Sequence, residues 1–369
     1  MRRFKIKISF LINSLDMGGA EKVLLTYVQA LSAQSTYDIS VVTNKDSKSE
    51  IASQMKAHAS CHAIFTENEY SKNKFLFKIY KSIKRKMMLK SLLNDCDVIV
   101  DFLDCDFHKY IKNFKQKKIT YLHSGFHHLI NRKKDISVRC TAYDAIITIC
   151  HDMHNEIKRL NPSWFNKTHV IYNPFNFEEL REYSQDTSSI TSNEKALLTS
   201  RYILTVCRLD EETKDVDTLL KAYCLARENG LRDQLVIIGD GPDGINLKTL
   251  SENLGISNYV YFLGEKQNPY VWMKNARKFV LSSKGEGFGL VIVEALLLNG
   301  YVISSNCKVG PSEILDHGRL GHLFEVGDVA RLATLLCEDK KPELNVEAEI
   351  TKFGSDHMVR KFNEVIENI

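Results

Sequence analysis

Short apolar runs alternate with amphipathic stretches along the whole chain. In the first half KIKISFLI, DISVVT, DVIVDFL, KITYLH, AYDAIITIC and HVIYNP have the length and β-branched content of buried strands. The turn GGAE, residues 18–21, leads into a helix from about Lys22 to Ser32, and helical segments separate the later strands. Over residues 184–194 the chain turns polar and rich in Ser and Thr, SQDTSSITSNE, which marks a linker. A second alternating set follows, with the strands RYILTVCRL, QLVIIGDGP, YVYFLG, KFVLSS and YVISSN and the helices VDTLLKAYCLAREN and INLKTLSENLG. The last segment, HMVRKFNEVIENI, puts Met358, Phe362, Val365, Ile366 and Ile369 on one helical face. Strands alternating with helices imply parallel sheets covered on both faces. The pattern therefore predicts an α/β chain of two doubly wound, Rossmann-like domains, residues 1–184 and 185–350, facing a crevice, with a helix over 351–369 that can return to the first domain. Ligands in such sheets sit at the carboxyl ends of the strands, so the crevice between the domains is the expected site.

One stretch departs from this regularity. KGEGFGLVIVEALLL, residues 284–298, places Glu286 among glycines and then starts a nearly all-apolar helix, near Phe288, that contains a single carboxylate, Glu294. A helix apolar on all sides is buried, and a buried carboxylate is costly unless paired or hydrogen-bonded. Gly285, Gly287 and Gly289 let a ligand reach the backbone, and the helix N-terminus offers free N–H groups to an anion such as a diphosphate. Glu286 and Glu294 are acceptors suited to sugar or ribose hydroxyls. On spacing alone, a glycine-rich turn whose glutamate is satisfied by core amides fits equally well.

Composition changes this picture little. A chain of 369 residues with 44% hydrophobic and 26% charged residues is an ordinary globular protein of two domains or one large one. No apolar run reaches the roughly 18 residues of a membrane span. The opening MRRFKIKISFLINSLDMGG resembles a weak signal peptide, but Lys5, Lys7, Asn13 and Asp16 interrupt it and it reads as a first strand. Nine scattered cysteines without a C-x-x-C pair fit a reducing cytosol and no disulfide framework.

Charge is more informative, because it is uneven. Residues 1–184 hold 29 Lys and Arg against 19 Asp and Glu, and the rest of the chain holds 21 against 27. The excess is sharpest over a predicted helix from about Lys72 to Lys90, where eight of 19 residues are basic and none is acidic. On a helical wheel Leu76, Ile79, Tyr80, Ile83 and Met87 form one stripe, expected to pack on the sheet, and Lys74, Lys78, Lys81 and Arg85 the opposite face, expected to meet an anionic membrane surface. A helix with a merely solvated basic face is the alternative.

Three other constellations compete for a function. GDGPDG, with Gly239, Gly241 and Gly244, is a formal G-x-G-x-x-G with Glu265 downstream, but it follows the second strand of its domain, whereas the dinucleotide fingerprint belongs to the first. Asp104–Asp106 is a D-x-D of the kind that can hold a metal on a nucleotide. His123, His127 and His128, and His151 with His154, have ligand-like spacing, but no Cys or acid completes a set, so no metal site is expected.

The pattern E-G-F-G-L-V-x-x-E-A, with Glu286 and Glu294 separated by seven residues, resembles the E-x7-E motif of retaining glycosyltransferases of family 4. GGAE, LHS, VIYNP, RLDEETKDVDTLLKAY, GDGP, FLG and SSNCKVGPSEIL match that family's segments in order, the last resembling members that build bacterial surface glycans. The sequence departs at Asp215, where the family often has Gly or Asn. The resemblance implies the GT-B fold and a retaining transfer of a hexose or N-acetylhexosamine, from a nucleotide sugar, UDP-linked, to a lipid-linked or lipopolysaccharide-type glycan. It implies that Arg208 and Lys214 bind the diphosphate, Glu286 the sugar hydroxyls and Glu294 the ribose. Gly287, Phe288, Gly289 and Leu290 would offer backbone amides, and His123 would contact the donor sugar near the reacting carbon. Gly18 and Gly19 would approach the phosphates and acceptor, and Asn173 of VIYNP is counted with the substrate-binding residues. The leaving phosphate is thought to take the acceptor's proton. No cofactor and no metal are expected, and the partners are the nucleotide sugar, the glycan or glycolipid acceptor and the membrane surface, with no nucleic acid. The implied location is cytoplasmic, peripheral on the inner face of the cytoplasmic membrane. The alternatives are a sugar-nucleotide epimerase or phosphorylase on a similar fold, or a non-catalytic partner subunit.

Overall fold

The computed structural model describes residues 5–16, 18–72, 75–103, 107–123, 136–341 and 345–369. The chain divides into two units, Met1–Phe175 with Lys352–Ile369, and Asn176–Thr351.

The first unit is built on a seven-stranded parallel sheet. Its strands are β1 (Ile6–Ile12), β2 (Tyr37–Lys45), β3 (Ser60–Phe65), β4 (Val98–Asp101), β5 (Lys117–Leu122), β6 (Ala145–Thr148) and β7 (Thr168–Val170), in the order β3-β2-β1-β4-β5-β6-β7. The order reverses at β1, where Ile8 lies opposite Ile39 on one side and Val98 on the other. Central strands bury both faces, so β1 is buried from Ile8 onward and β4 along its whole length. β3, SCHAIF, escaped the pattern because it is an edge strand whose first four residues are exposed or half-buried. The helix Ser355–Asn368 returns the end of the chain to this unit. Met358, Phe362 and Val365 are buried there, and the Phe362 ring packs on Phe10, Tyr27 and Tyr37.

The second unit repeats the design with six strands, β8 (Tyr202–Val206), β9 (Gln234–Ile238), β10 (Val260–Phe262), β11 (Lys278–Leu281), β12 (Val302–Ser305) and β13 (His322–Phe324), ordered β10-β9-β8-β11-β12-β13. β13 is a three-residue edge strand with no periodicity to read. The chain enters this unit after Phe175, earlier than the expected boundary at residue 184. The reason is the helix Phe177–Tyr183, which packs on the helices Tyr270–Asn275 and Leu290–Leu298. Its Tyr183 ring stacks on Tyr270 at 6.1 Å, and Arg181 Nη2 reaches Glu347 Oε1 at 2.7 Å.

The basic helix differs most from expectation. It runs Phe75–Leu92, and its apolar stripe faces solvent, with Leu76 77%, Ile83 56% and Met87 68% exposed. The helix is held by the side expected to be outward. Arg85 donates through Nε to Asn44 Oδ1 at 2.7 Å and through Nη1 to the Tyr110 hydroxyl at 3.0 Å, its guanidinium stacked on Phe65 and Tyr110. Lys84 pairs with Glu69 at 2.8 Å, and Lys81 donates to the Tyr70 carbonyl. Leu89 is fully buried, with Met88 and Leu92 packed beside it. Hydrogen-bonded cation–aromatic contacts thus outweighed the apolar stripe in setting the rotation. Lys74 lies outside the described residues. Among the described residues no helix is long and apolar enough to cross a membrane.

Candidate active site

The second sheet reverses its strand order between β8 and β11, which is where an open parallel sheet leaves a crevice at its carboxyl edge. The two loops that leave these strands carry most of the candidate residues, and they are laced together. Lys284 N donates to the Thr213 carbonyl at 2.8 Å, Ser282 Oγ to the Lys214 carbonyl at 3.1 Å, and Lys284 Nζ to the Glu211 carbonyl at 2.9 Å. Glu211 in turn accepts from the Val216 and Asp217 N–H groups at 2.8 and 3.2 Å, satisfying the first turn of the helix Val216–Glu228. Burial raises the pKa of its carboxyl.

Lys214 and Glu286 meet across these loops. Lys214 Nζ donates to Glu286 Oε1 at 2.6 Å, and Ser283 Oγ donates to the same oxygen at 2.6 Å. Glu286 Oε2 has no hydrogen bond with a described residue and is the acceptor left for a ligand hydroxyl. Arg208, on the loop after β8, is exposed and unpaired among the described residues. Asp215, the departure from the expected pattern, is held in the left-handed region (φ 51°), a conformation that favours Gly or Asn. Asp is tolerated because it is short and because Lys284 Nζ sits 3.1 Å from its carboxylate.

The apolar helix begins at Leu290, two residues later than the sequence suggests, and ends at Leu298. Gly289 caps it with φ 99°, a conformation that a side chain would strain. Glu294 is half-buried and accepts from the Tyr270 hydroxyl at 3.1 Å. Burial and then the Glu294 charge push the Tyr270 pKa upward, so Tyr270 stays a donor. The Tyr183–Tyr270 stack lies beside this carboxylate. Gly287, Phe288, Gly289 and Leu290 thus sit between the two glutamates, with Phe288 buried and Gly310 (φ 96°) packed so closely that a Cβ there would fall 1.9 Å from the Phe288 carbonyl oxygen. The glycines of GDGPDG have a similar packing role. A Cβ on Gly239 or Gly241 would lie 1.8 Å from the Cys207 oxygen or 2.3 Å from the Leu209 oxygen. They let the β9 loop lie against the Arg208 loop, where Leu209 N donates to the Asp240 carbonyl at 3.0 Å.

The first unit holds the remaining candidates. Gly18 caps the helix Gly19–Ser32 in an extended conformation, and the Glu21 carboxylate lies against it, its pKa raised by burial. His123 follows β5, with its ring against Phe102 (4.9 Å) and Tyr121 (5.9 Å). Burial lowers its pKa to about 4, with the Arg139 charge adding to the effect, so the ring is neutral near pH 7. Its Nε2 has no partner among the described residues, and neither does the Oδ1 of the buried Asn173. Behind it Asp101, fully buried, accepts from Tyr143 at 2.6 Å and lies 3.4 Å from Arg139. Asp104–Asp106, His127 and His128 fall outside the described residues. Among the described residues no group of three His, Cys, Asp or Glu could hold a metal ion.

Sequence reasoning missed Ser283, Tyr270, Glu211 and Gly310. Ser283 stands next to the motif and could have been suspected as a partner of Glu286. Tyr270 lies 24 residues from Glu294 and only the folded chain joins them.

The chain thus carries two parallel-sheet Rossmann-like units, the second of which gathers cations, carboxylates and a glycine-capped helix end at its switch point. Residues 17–179 match the model of Glycosyltransferase Family 4 and residues 188–347 that of Glycosyl transferases group 1, and the chain belongs to this GT-B glycosyltransferase family. An uncharacterized glycosyltransferase of Methanocaldococcus jannaschii is 31% identical over 173 residues, which span 47% of this chain and 42% of that one. The N-acetylgalactosamine-N,N'-diacetylbacillosaminyl-diphospho-undecaprenol 4-alpha-N-acetylgalactosaminyltransferase of Campylobacter jejuni is 26% identical over 353 residues, 90% of this chain and 91% of its own. Anabaena HepE, solved in complex with UDP and glucose, shares the fold with a TM-score of 0.79 at 19% identity, covering 99% of this chain and 100% of that one.

Proposed function

We propose that the chain transfers a hexose or N-acetylhexosamine, with retention, from a UDP-linked sugar to a lipid-linked or lipopolysaccharide-type glycan, without a metal or other cofactor. The observation that carries the reading is the meeting of Lys214 and Glu286 at the β8/β11 switch point, beside exposed Arg208 and the Gly289-capped helix. Support for the acceptor comes from the Campylobacter relative, whose name specifies a diphospho-undecaprenol-linked glycan, and for the nucleotide from the Anabaena complex.

Breaking the sugar–phosphate bond leaves an oxocarbenium-like sugar and builds negative charge on the departing diphosphate. Fixed positive groups aimed at that charge are usually the largest catalytic term. Arg208 offers a planar fork and Lys214 a point charge for the phosphates. The free Glu286 oxygen orients a sugar hydroxyl, and Glu294, steadied by Tyr270, takes the ribose. Gly287 through Leu290 present backbone amides. Gly18 and Gly19 are assigned to phosphate and acceptor contact, His123 as a neutral ring to the sugar, and Asn173 to substrate binding.

A thermal-shift screen against nucleotides tests the reading. UDP and one UDP-sugar should stabilise the protein, by about 2.7 kcal/mol at a hundred times the dissociation constant. Stabilisation by NAD in place of UDP would move the site to Gly239–Gly244 and refute the assignment.

A further inference from the structure

We infer that the helix Phe75–Leu92 lays its apolar stripe into an anionic bilayer surface. Five of the large apolar side chains left exposed in the described structure lie on this one helix: Leu76, Ile79, Tyr80, Ile83 and Met87. Their spacing keeps them within one side of the helix. The opposite side is already engaged by Arg85, Lys81 and buried Leu89, and Lys84 on the flank pairs with Glu69, so the stripe is the face that the fold leaves over. Single exposed apolar residues are unremarkable, whereas a contiguous row marks a contact surface.

Charge selects the occupant. The helix has no acidic residue, and exposed Lys86 and Lys90 border the stripe on one edge, with Lys78 beyond them. A protein partner's contact surface is depleted in Lys, particularly at its core. An interfacial helix has this layout: an apolar face that enters the acyl boundary, and long lysine stems whose ammonium groups reach back to headgroup phosphates. Tyr80 at the edge of the stripe suits the same boundary, its hydroxyl held by Glu69 Oε1 at 2.9 Å. The inference stands on this helix alone and does not depend on the nature of the acceptor.

The test is flotation of the full chain with vesicles of phosphatidylcholine containing about 30 mol% phosphatidylglycerol, against pure phosphatidylcholine, at low and moderate salt. Wild type should bind the anionic vesicles and bind neutral ones several-fold less. Leu76, Ile79, Ile83 and Met87 all changed to Ser should lower partitioning by roughly tenfold or more while leaving the thermal midpoint in place, since all four are exposed. Lys86→Glu with Lys90→Glu should remove the preference for anionic lipid and its salt dependence. Equal binding by the fourfold Ser variant, or no vesicle binding by wild type, overturns the inference. So does a wild-type dimer that the fourfold variant abolishes, which would make a second copy the occupant.

Discussion

Changing Lys214 to Met separates the catalytic role proposed for this side chain from its structural one. In the free protein it removes the 2.6 Å charged hydrogen bond to Glu286. A charged hydrogen bond contributes about 1.5–3 kcal/mol when desolvated. Here the Lys214 side chain is 23% exposed and Glu286 10%, and Glu286 keeps its bond from Ser283, so water screening reduces the loss to about 1 kcal/mol. For a unit of this size that lowers the melting temperature by about 2–4 °C. If Lys214 meets the leaving diphosphate as proposed, the same substitution removes a fixed positive charge from it in the transition state and should cost about 2.7–4 kcal/mol, or 10²–10³ in turnover. Lys214→Arg keeps the charge and should recover part of the rate. The assay is release of UDP from a UDP-sugar, measured beside a calorimetric melt. A rate within tenfold of wild type, or a rate loss that tracks a large drop in melting temperature, refutes the assignment of Lys214 to the phosphates.

Other expectations follow from the same geometry. Glu294→Gln should weaken binding of free UDP by about 1.5–3 kcal/mol, while Glu286→Ala should slow transfer with little effect on UDP affinity; calorimetric titration of both variants distinguishes them. His123 is neutral because its folded pKa, about 4, lies below the 6.5 of the free side chain. The unfolded chain therefore binds the extra proton between these values, and stability falls as pH drops through that window, by roughly 3–4 kcal/mol in all. His123→Asn should flatten that part of a denaturant-unfolding profile against pH. Turnover should persist in excess EDTA, and a loss restored by manganese would redirect attention to Asp104 and Asp106.

Much of the architecture was legible because parallel strands buried on both faces leave short, mostly apolar runs, as in β1, β8 and β9. The strands that escaped, β3 and β13, are sheet edges where half-exposure and three-residue length erase the signal. At the site, the sequence marks Glu286 and Glu294 by their oddity, a carboxylate among glycines and another in an apolar helix. Their partners Lys214 and Tyr270 are joined to them only by the fold. The rotation of the helix Phe75–Leu92 shows how such inference fails. Apolar spacing identified the stripe correctly, but which face turns inward was decided by Arg85 meeting Asn44, Tyr110 and Phe65, contacts that no periodicity contains.

The most direct test of the account is the anomer first released when the protein hydrolyses a UDP-α-sugar without acceptor, followed by proton NMR before mutarotation, alongside Lys214→Met and Glu286→Ala. Retaining transfer predicts slow release of the α-anomer by wild type and near-loss of release in both variants. Release of the β-anomer would contradict retention, and equal release by wild type and both variants would contradict the site itself.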